Sequence, residues 1–488
     1  MATLSLATLS WLLVLTQLLV LLVSWLVSPL RDIPGPALAS FSRLWHIIHI
    51  VRGDQNVELD ALHDKHGPFV RIAPDEVSVS HPEGIKKILL APLHKGYWYK
   101  ALAIPDYRFQ TPMSTTDPKK KNEMSRHFAA GYTLSNLLQN EEAVDSTVRM
   151  FLSHLDGFAE SGKAFELDRY FTFLAFDVVG EMLFSKQFGF LKQNRDVGSA
   201  IQNGIVLSVY ASVIGFFRLA HVALLGNPLM TWLGLLPMGH LYDTIVRALD
   251  ERLDNRDSRF DAVAHWFRAI ERNPGKVKER DVYAIATGTV GAGSDTVSCA
   301  LQSFVYHMNR HPNAWQRVRE EMDEVTKTGI CHGQVISFAD ALKLPFLQVC
   351  IKEALRVFAP VPMGLPRVAS EGGLTVGDRH FPAGTILSIN PWVMMRDKEI
   401  WGPDAREFNP DRWLSDNASS LDKYFMPWGQ GYNSCPGQHV AKIELSKVAA
   451  TLVRDYSFRQ VDPNQVWQWK ACFTMVPHSW PCYIEKRT

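Results

Sequence analysis

The 488-residue chain carries 51 lysines and arginines against 50 aspartates and glutamates, a formal net charge of +1 that gives no sign of a nucleic-acid-binding surface. Hydrophobic content of 47% and charged content of 21% are those of an ordinary globular protein, and the length exceeds the ~250–300 residues that one core usually sustains. Six sparse cysteines with no CxxC pair show no tetrahedral zinc spacing, need no disulfides, and point to a reducing compartment.

The first element is residues 4–30, LSLATLSWLLVLTQLLVLLVSWLVSPL, which hold no charge before Arg31. About 20 apolar residues span a bilayer core. A cleaved signal would show a basic head and an apolar run of only about 7–15 residues. Residues 1–30 are therefore expected to be a membrane anchor, with a buried core helix as the alternative. Arg31, Arg43 and Arg52 follow the run and no basic residue precedes it, which places the rest of the chain on the cytoplasmic side. Residues 31–40 contain IPGP and read as a Pro-rich hinge; residues 41–488 form the folded remainder.

Over residues 55–110, PFVRIA and EVSVS read as short strands among helical pieces. From about 140 to 360 the pattern is mostly helical. FELDRYFTFLAFDVVGEMLF has apolar residues at helical spacing, and NAWQRVREEMDEVTK reads as an exposed charged helix after Pro312. Residues 205–233 are apolar enough for a second membrane helix, but Arg218, His221 and the Gly226-Asn227-Pro228 turn interrupt them. The preferred expectation there is a buried helix pair whose connecting loop dips into a membrane surface. Short strands return over 361–400, with a hairpin around Asp378, and again over 455–485. The expected fold class is mainly α with small β-sheets, behind one N-terminal transmembrane helix.

Chemistry concentrates at WGQGYNSCPG, residues 428–437. Gly429, Gly431 and Gly437 surround Cys435, and glycines allow tight turns and close approach to a flat ligand. QHVAKIELSKVAATLV follows as a good helix, so Cys435 stands at a helix N-terminus, where a thiolate is favoured. This suits a soft anionic metal ligand; an inert cysteine in a turn is the alternative for this window alone.

Three distant elements bear on that choice. In DVYAIATGTVGAGSDTVSCALQSFVYHM, residues 281–308, Gly288, Gly291 and Gly293 each cost about 1 kcal/mol against alanine in a helix. Close approach of a bulky group is the natural compensation. Asp295 and Thr296 follow, an acid beside a hydroxyl that could relay protons to a bound oxidant; the alternative is a helix irregularity with Thr296 bonded to a carbonyl. In KEALR, Glu353 and Arg356 share a helix face. Arg412, in FNPDRW, could complete a buried structural cluster with them.

In this order, AGSDT, EALR, FNPDRW and WGQGYNSCPG resemble the signatures of the cytochrome P-450 superfamily of haem-thiolate monooxygenases, a likeness running from the anchor to about residue 485. GYNSCPG and VPHSWPCYIEKR are similar to fungal members of secondary metabolism. The resemblance implies haem b (iron protoporphyrin IX) with Cys435 as axial ligand to iron, Gly429 and Gly437 in the same loop, and Trp428 as an aromatic plate where phenylalanine is usual. It gives Asp295 and Thr296 the delivery of protons to activated O2. It implies electrons from NADPH through a membrane-bound NADPH-cytochrome reductase, an endoplasmic-reticulum location in contact with membrane lipid, and an apolar substrate such as a terpenoid or polyketide. An oxygen-independent haem-thiolate isomerase or dehydratase and a non-catalytic haem-binding sensor are the rival readings.

Two departures stand out against the family pattern. Asn433 replaces the usual Arg or His that pairs with a haem propionate, and asparagine cannot pair charge. Upstream, in TDPKKKNEMSRHF, Lys121 and Ser125 occupy the places of a customary Trp or His and Arg, with Arg126 adjacent. Arg367, in GLPRVA, is the expected remaining propionate partner, with Lys121 and Arg126 as further candidates. Lys119 to Lys121 have a rival role as a basic patch for an acidic reductase surface. The expected pocket residues are Trp98, Tyr107, Met363, Phe473 and Met475, with core packing as the alternative for each.

Overall fold

The structure is a computed structural model and describes residues 6–235, 239–256 and 259–487. Its organising element is the helix Glu279–Arg310, which runs unbroken for 32 residues through all three glycines. Packing outweighs their propensity cost. Val282, Ala286, Val290, Val297, Leu301, Phe304 and Val305 are buried along it. The helices Leu167–Phe184, Pro345–Val357 and Gln438–Asp455 pack around this central helix, and their apolar faces form one continuous core.

The glycines have two separate explanations. A Cβ on Gly293 would meet Val179 Cγ2 at 2.8 Å, so this glycine lets the central helix close on Leu167–Phe184. A Cβ on Gly291 would meet nothing within 4 Å, and one on Gly288 only Thr111 Cγ2 at 3.8 Å. The bulky neighbour expected from sequence is thus another helix at Gly293, while Gly288 and Gly291 border open space.

The sheets are small. The largest has four strands in the order Phe69–Ala73, Glu76–Val79, Ile386–Ile389, Leu365–Val368, with only the middle pair parallel. The hairpin around Asp378 is present as Leu374–Val376 paired with Arg379–Phe381, turning through Gly377 at φ 60°. Four strands occupy the C-terminal stretch, and Pro481–Lys486 among them pairs with both Phe165–Glu166 and Tyr456–Gln460. The helix Pro312–Lys327 is amphipathic rather than wholly exposed, since Ala314, Trp315, Val318 and Met322 face inward.

At the N-terminus an apolar helix spans Leu6–Leu26, 21 residues, with Trp11, Leu15, Leu18 and Leu19 exposed. The segment after it is docked. Leu30 and Ile33 are buried, and Arg71 reaches back to donate to Leu30 O and Ser28 Oγ. Gly35 lies so close to the Arg71 carbonyl that a Cβ would overlap it.

Residues 205–233 depart from the expected buried pair. They form the end of the helix Ala200–Ile214 and two short helices, Arg218–Ala223 and Pro228–Trp232. Within Ala200–Ile214 only Ala200, Ala211 and Ser212 are buried. Phe217, Leu219, Leu224, Leu229 and Trp232 are exposed. Apolar composition here serves an outer surface, not a core. The stretch Val197–Ile214 is also long and apolar enough, by length and composition, to cross a membrane.

Candidate functional site

The loop before the helix Gln438–Asp455 turns through Gly429 and Gly431, at φ 65° and 60°, a backbone region that glycine enters without strain. The turn brings Cys435 N to within 2.7 Å of the Trp428 carbonyl, which accepts its hydrogen bond. The N–H groups of Gly437 and Gln438 are directed at the Cys435 sulfur and favour its anion. Burial outweighs them and pushes the thiol up from its ordinary value, contrary to the net lowering expected at a helix N-terminus. A coordinated metal reverses that balance, because a coordinating thiol is deprotonated outright. Trp428 is half-buried and packs against the main core.

On the central helix, Gly288, Gly291, Ala292, Asp295 and Thr296 form an accessible stripe between buried flanks. These accessible small residues border open space. Asp295 is partly exposed there, yet the surrounding protein desolvates its carboxyl and pushes it up to about 6. Thr296 Oγ1 donates to Ala292 O at 2.8 Å, the local bond weighed as the alternative from sequence, and the helix stays regular around it.

The structural cluster is complete. Glu353 accepts from Arg356 at 2.8 and 2.9 Å, from Arg412 Nε at 2.9 Å, from Trp413 Nε1 at 2.9 Å and from Asn409 N at 3.0 Å. Arg356 also donates to the carbonyls of Met395, Ala405 and Glu407. Every buried charge here has a partner, which is the condition for a buried ion cluster to be tolerated.

A second group of buried charges is not balanced. Arg367 lies on the strand Leu365–Val368, 2% exposed, and donates to Tyr99 Oη at 3.0 Å and Pro366 O at 2.9 Å. Lys121 lies on the helix Pro118–Phe128, 8% exposed, and donates to the Tyr432 carbonyl in the cysteine loop. Lys95, 5% exposed, forms an isolated backbone bridge with Arg367 and donates to Pro112 O and Met113 O. Among the described residues no carboxylate pairs with any of the three. Asn433, next to Tyr432, has both side-chain polar atoms buried without a partner. Arg367 Nε is likewise unpartnered.

These residues fit a haem group. A sulfur ligand stands on a glycine-bent loop, a stripe of small residues borders open space, and unpaired cations answer two propionate carboxylates. Lys95 was not singled out by sequence; a lone lysine between histidine and glycine in LHKGYWYK offered only a weak signal. Arg126 departs from expectation. It is exposed, because it lies five helical positions beyond Lys121, about 140° away from the buried face.

Of the expected pocket residues, Trp98 and Met363 belong to one small apolar cluster, with Phe216 and Phe473 packed against it. Trp98 lies 5.5 Å from Phe473 and 6.3 Å from Phe216 between ring centroids. Met475 is instead part of the main core. Tyr107 is 55% exposed, because the buried Asp106 beside it turns inward to bind Arg108 and Thr231 and leaves Tyr107 outside.

Comparison with known proteins agrees with this geometry. The family model described as Cytochrome P-450 matches residues 34–478. The cytochrome P-450 monooxygenase gsfF of Penicillium aethiopicum is 28% identical, over 91% of this chain and 92% of that protein. The cytochrome P-450 monooxygenase hepC of Aspergillus oryzae is 30% identical, over 92% and 91% respectively. A pisatin demethylase of Fusarium vanettenii is 28% identical, over 94% and 89%. The chain belongs to the cytochrome P-450 family, oxidoreductases whose members bind haem b through a cysteine thiolate and act as monooxygenases.

Proposed function

We propose that this chain is a membrane-anchored monooxygenase of secondary metabolism that inserts one oxygen atom of O2 into an apolar small molecule, of terpenoid or polyketide type. The observation that carries the reading is Cys435, with two backbone N–H groups directed at its sulfur, on a loop tied through Tyr432 to the buried cation Lys121. Bound haem supplies O2 activation and the oxidation of an unactivated C–H bond.

The chain's own residues do the rest. Cys435 Sγ would hold the iron. Asp295, with its carboxyl near 6, changes protonation close to neutral pH and so can take up and release a proton. Thr296 spends its hydroxyl proton on Ala292 O, which leaves the oxygen lone pairs free to accept one. Trp98, Phe216, Met363 and Phe473 supply an apolar wall that excludes water and orients the substrate.

Delivery and electron supply follow from the outer surface. The apolar helix Leu6–Leu26 and the exposed apolar residues between Phe217 and Leu235 would sit in or on the endoplasmic-reticulum membrane, where an apolar substrate partitions. Lys119 and Lys120 are exposed on the helix whose Lys121 contacts the cysteine loop, a position suited to an acidic NADPH-dependent reductase.

The test is the spectrum of the reduced, carbon-monoxide-bound protein, for wild type and Cys435→Ala. A strongly red-shifted Soret band lost in the variant, together with product formation requiring NADPH and O2, is the expected result. A band at the histidine-haem position would end the proposal.

A further inference from the structure

The exposed apolar segment from Phe217 to Trp232 carries charge of one sign only. We infer that it docks on anionic lipid headgroups in particular, through Lys100, Arg218 and Arg52, so that the chain selects a negatively charged membrane surface over a neutral one. The inference rests on the membrane reading above and adds to it the chemistry of the headgroup and the residues that recognise it.

Three observations carry it. First, Arg218 stands between two exposed apolar residues, Phe217 at 46% and Leu219 at 84%. An arginine set in an apolar patch lays its stem along the apolar layer and lifts its guanidinium to the polar level, which at a bilayer is the phosphates. Second, Lys100 joins it on one ring. The Lys100 ammonium lies 5.1 Å, and the Arg218 guanidinium 5.5 Å, from the Tyr97 ring centroid. Both side chains are exposed, and among the described residues neither has a hydrogen bond or a carboxylate partner. The ring face attracts each cation, yet the two charges repel one another, and an anion placed between them relieves that repulsion. Tyrosine is itself a residue of the headgroup level.

Third, acids are missing from the whole face. Residues 33–53, 84–105 and 197–242 hold seven lysines and arginines and no aspartate or glutamate, in a chain with 50 such acids among 488 residues. These segments meet here: Arg218 lies on Tyr97, and the His46 ring is 5.4 Å from Phe216. Arg52 ends the helix Leu44–Arg52, exposed beside Val51, and has no carboxylate partner among the described residues. Arg43 is outside the set, because Asp75 and Glu76 already pair with it. Asp106, which reaches the segment by accepting from Thr231, is buried and held by Arg108, so its charge does not face the lipid.

A neutral bilayer rewards only the apolar side chains. An anionic leaflet also attracts each cation, which strengthens binding roughly fivefold per residue and fades beyond a Debye length of about 8 Å at physiological salt. The competing role for the cations is solubility around an apolar patch, with no preference among lipids.

The full-length, haem-loaded protein is reconstituted in nanodiscs of phosphatidylcholine and of phosphatidylcholine mixed with phosphatidylserine, and hydrogen exchange is followed over residues 217–232. Wild type should be protected in both, with exchange roughly 25-fold slower in the anionic discs for the two cations on Tyr97, and high salt should remove the difference. Lys100→Gln combined with Arg218→Gln should keep the protection seen in phosphatidylcholine and lose the extra protection. Lys100→Arg combined with Arg218→Lys should keep both. The exchanged side chains are exposed and unbonded, so the fold is unaffected, as circular dichroism and the haem spectrum verify. Equal protection of wild type in the two compositions, an anionic preference that survives the glutamine exchanges, or one that survives high salt would overturn the inference and leave the membrane reading standing. Protection in neither composition would end the membrane reading and the inference with it.

Discussion

Two groups of buried charge in this molecule are built on opposite terms. Around Glu353 each ionised group is matched: two arginines, an indole N–H and a backbone N–H converge on one carboxylate, and the spare guanidinium donors end on carbonyls and, for Arg412, on the Asp404 carboxylate as well. Around Arg367 three cations share a site with no anion among the described residues. The first group is complete as folded and holds the helix Pro345–Val357 to the segment around Arg412. The second, on the function proposed above, is completed by a ligand. The contrast teaches how to tell a staple from a cradle: by what remains unpaired, not by how deeply the charges are buried.

The largest expected effect breaks the staple. Glu353→Ala leaves Arg356 and Arg412 buried without their shared anion, which costs about 3–5 kcal/mol. The variant should unfold at much lower denaturant concentration, or fail to accumulate as folded protein, with every spectroscopic probe lost together. A Glu353→Ala protein of wild-type stability would show that the cluster is not structural.

Parts of both groups were legible in the sequence. Glu353 and Arg356 stand three apart on a helix, so their common face follows from the period alone, and the glycines around Cys435 announce a turn. Lys95 was not legible. Its meaning depends on residues 95, 121 and 367 converging from a loop, a helix and a strand, which no local pattern encodes. Arg126 stands apart for the converse reason, since five positions from Lys121 bring it to the exposed side of the same helix. For residues 205–233, composition gave the apolar character but not its direction. A helix facing lipid and a helix facing a core read alike.

Glu444 offers a third solution, an acid that neutralises itself. It is fully buried on the helix Gln438–Asp455, both carboxyl oxygens lack a hydrogen-bond partner, and burial pushes it up to about 8. A folded-state value above the unfolded one means that the group's stabilisation is fully present below about pH 4 and is lost as pH rises through about 8. The slope is ~1.4 kcal/mol per pH unit, so between pH 5 and 7 wild type should lose about 2–3 kcal/mol that Glu444→Gln does not. Chemical denaturation of both proteins at pH 5, 7 and 9 checks this. Parallel pH profiles would mean that Glu444 is paired and charged, and would place it with the staple.

The smallest effect tests the cradle. Arg367→Ala removes one of three mutually repelling cations, so the fold should lose little: hydrogen bonds to the Tyr99 hydroxyl and the Pro366 carbonyl, and no ion pair. Haem retention should suffer, because a charge-assisted bond to a propionate disappears, and roughly tenfold faster haem loss is expected, about 1.4 kcal/mol. The two readouts must therefore separate, with helical structure unfolding at the wild-type denaturant midpoint while the haem leaves sooner. A variant in which both fall together by several kcal/mol would make Arg367 a staple like Glu353. A variant with full haem occupancy and an unchanged potential would mean that the propionate charge is carried by Lys95 and Lys121 without it.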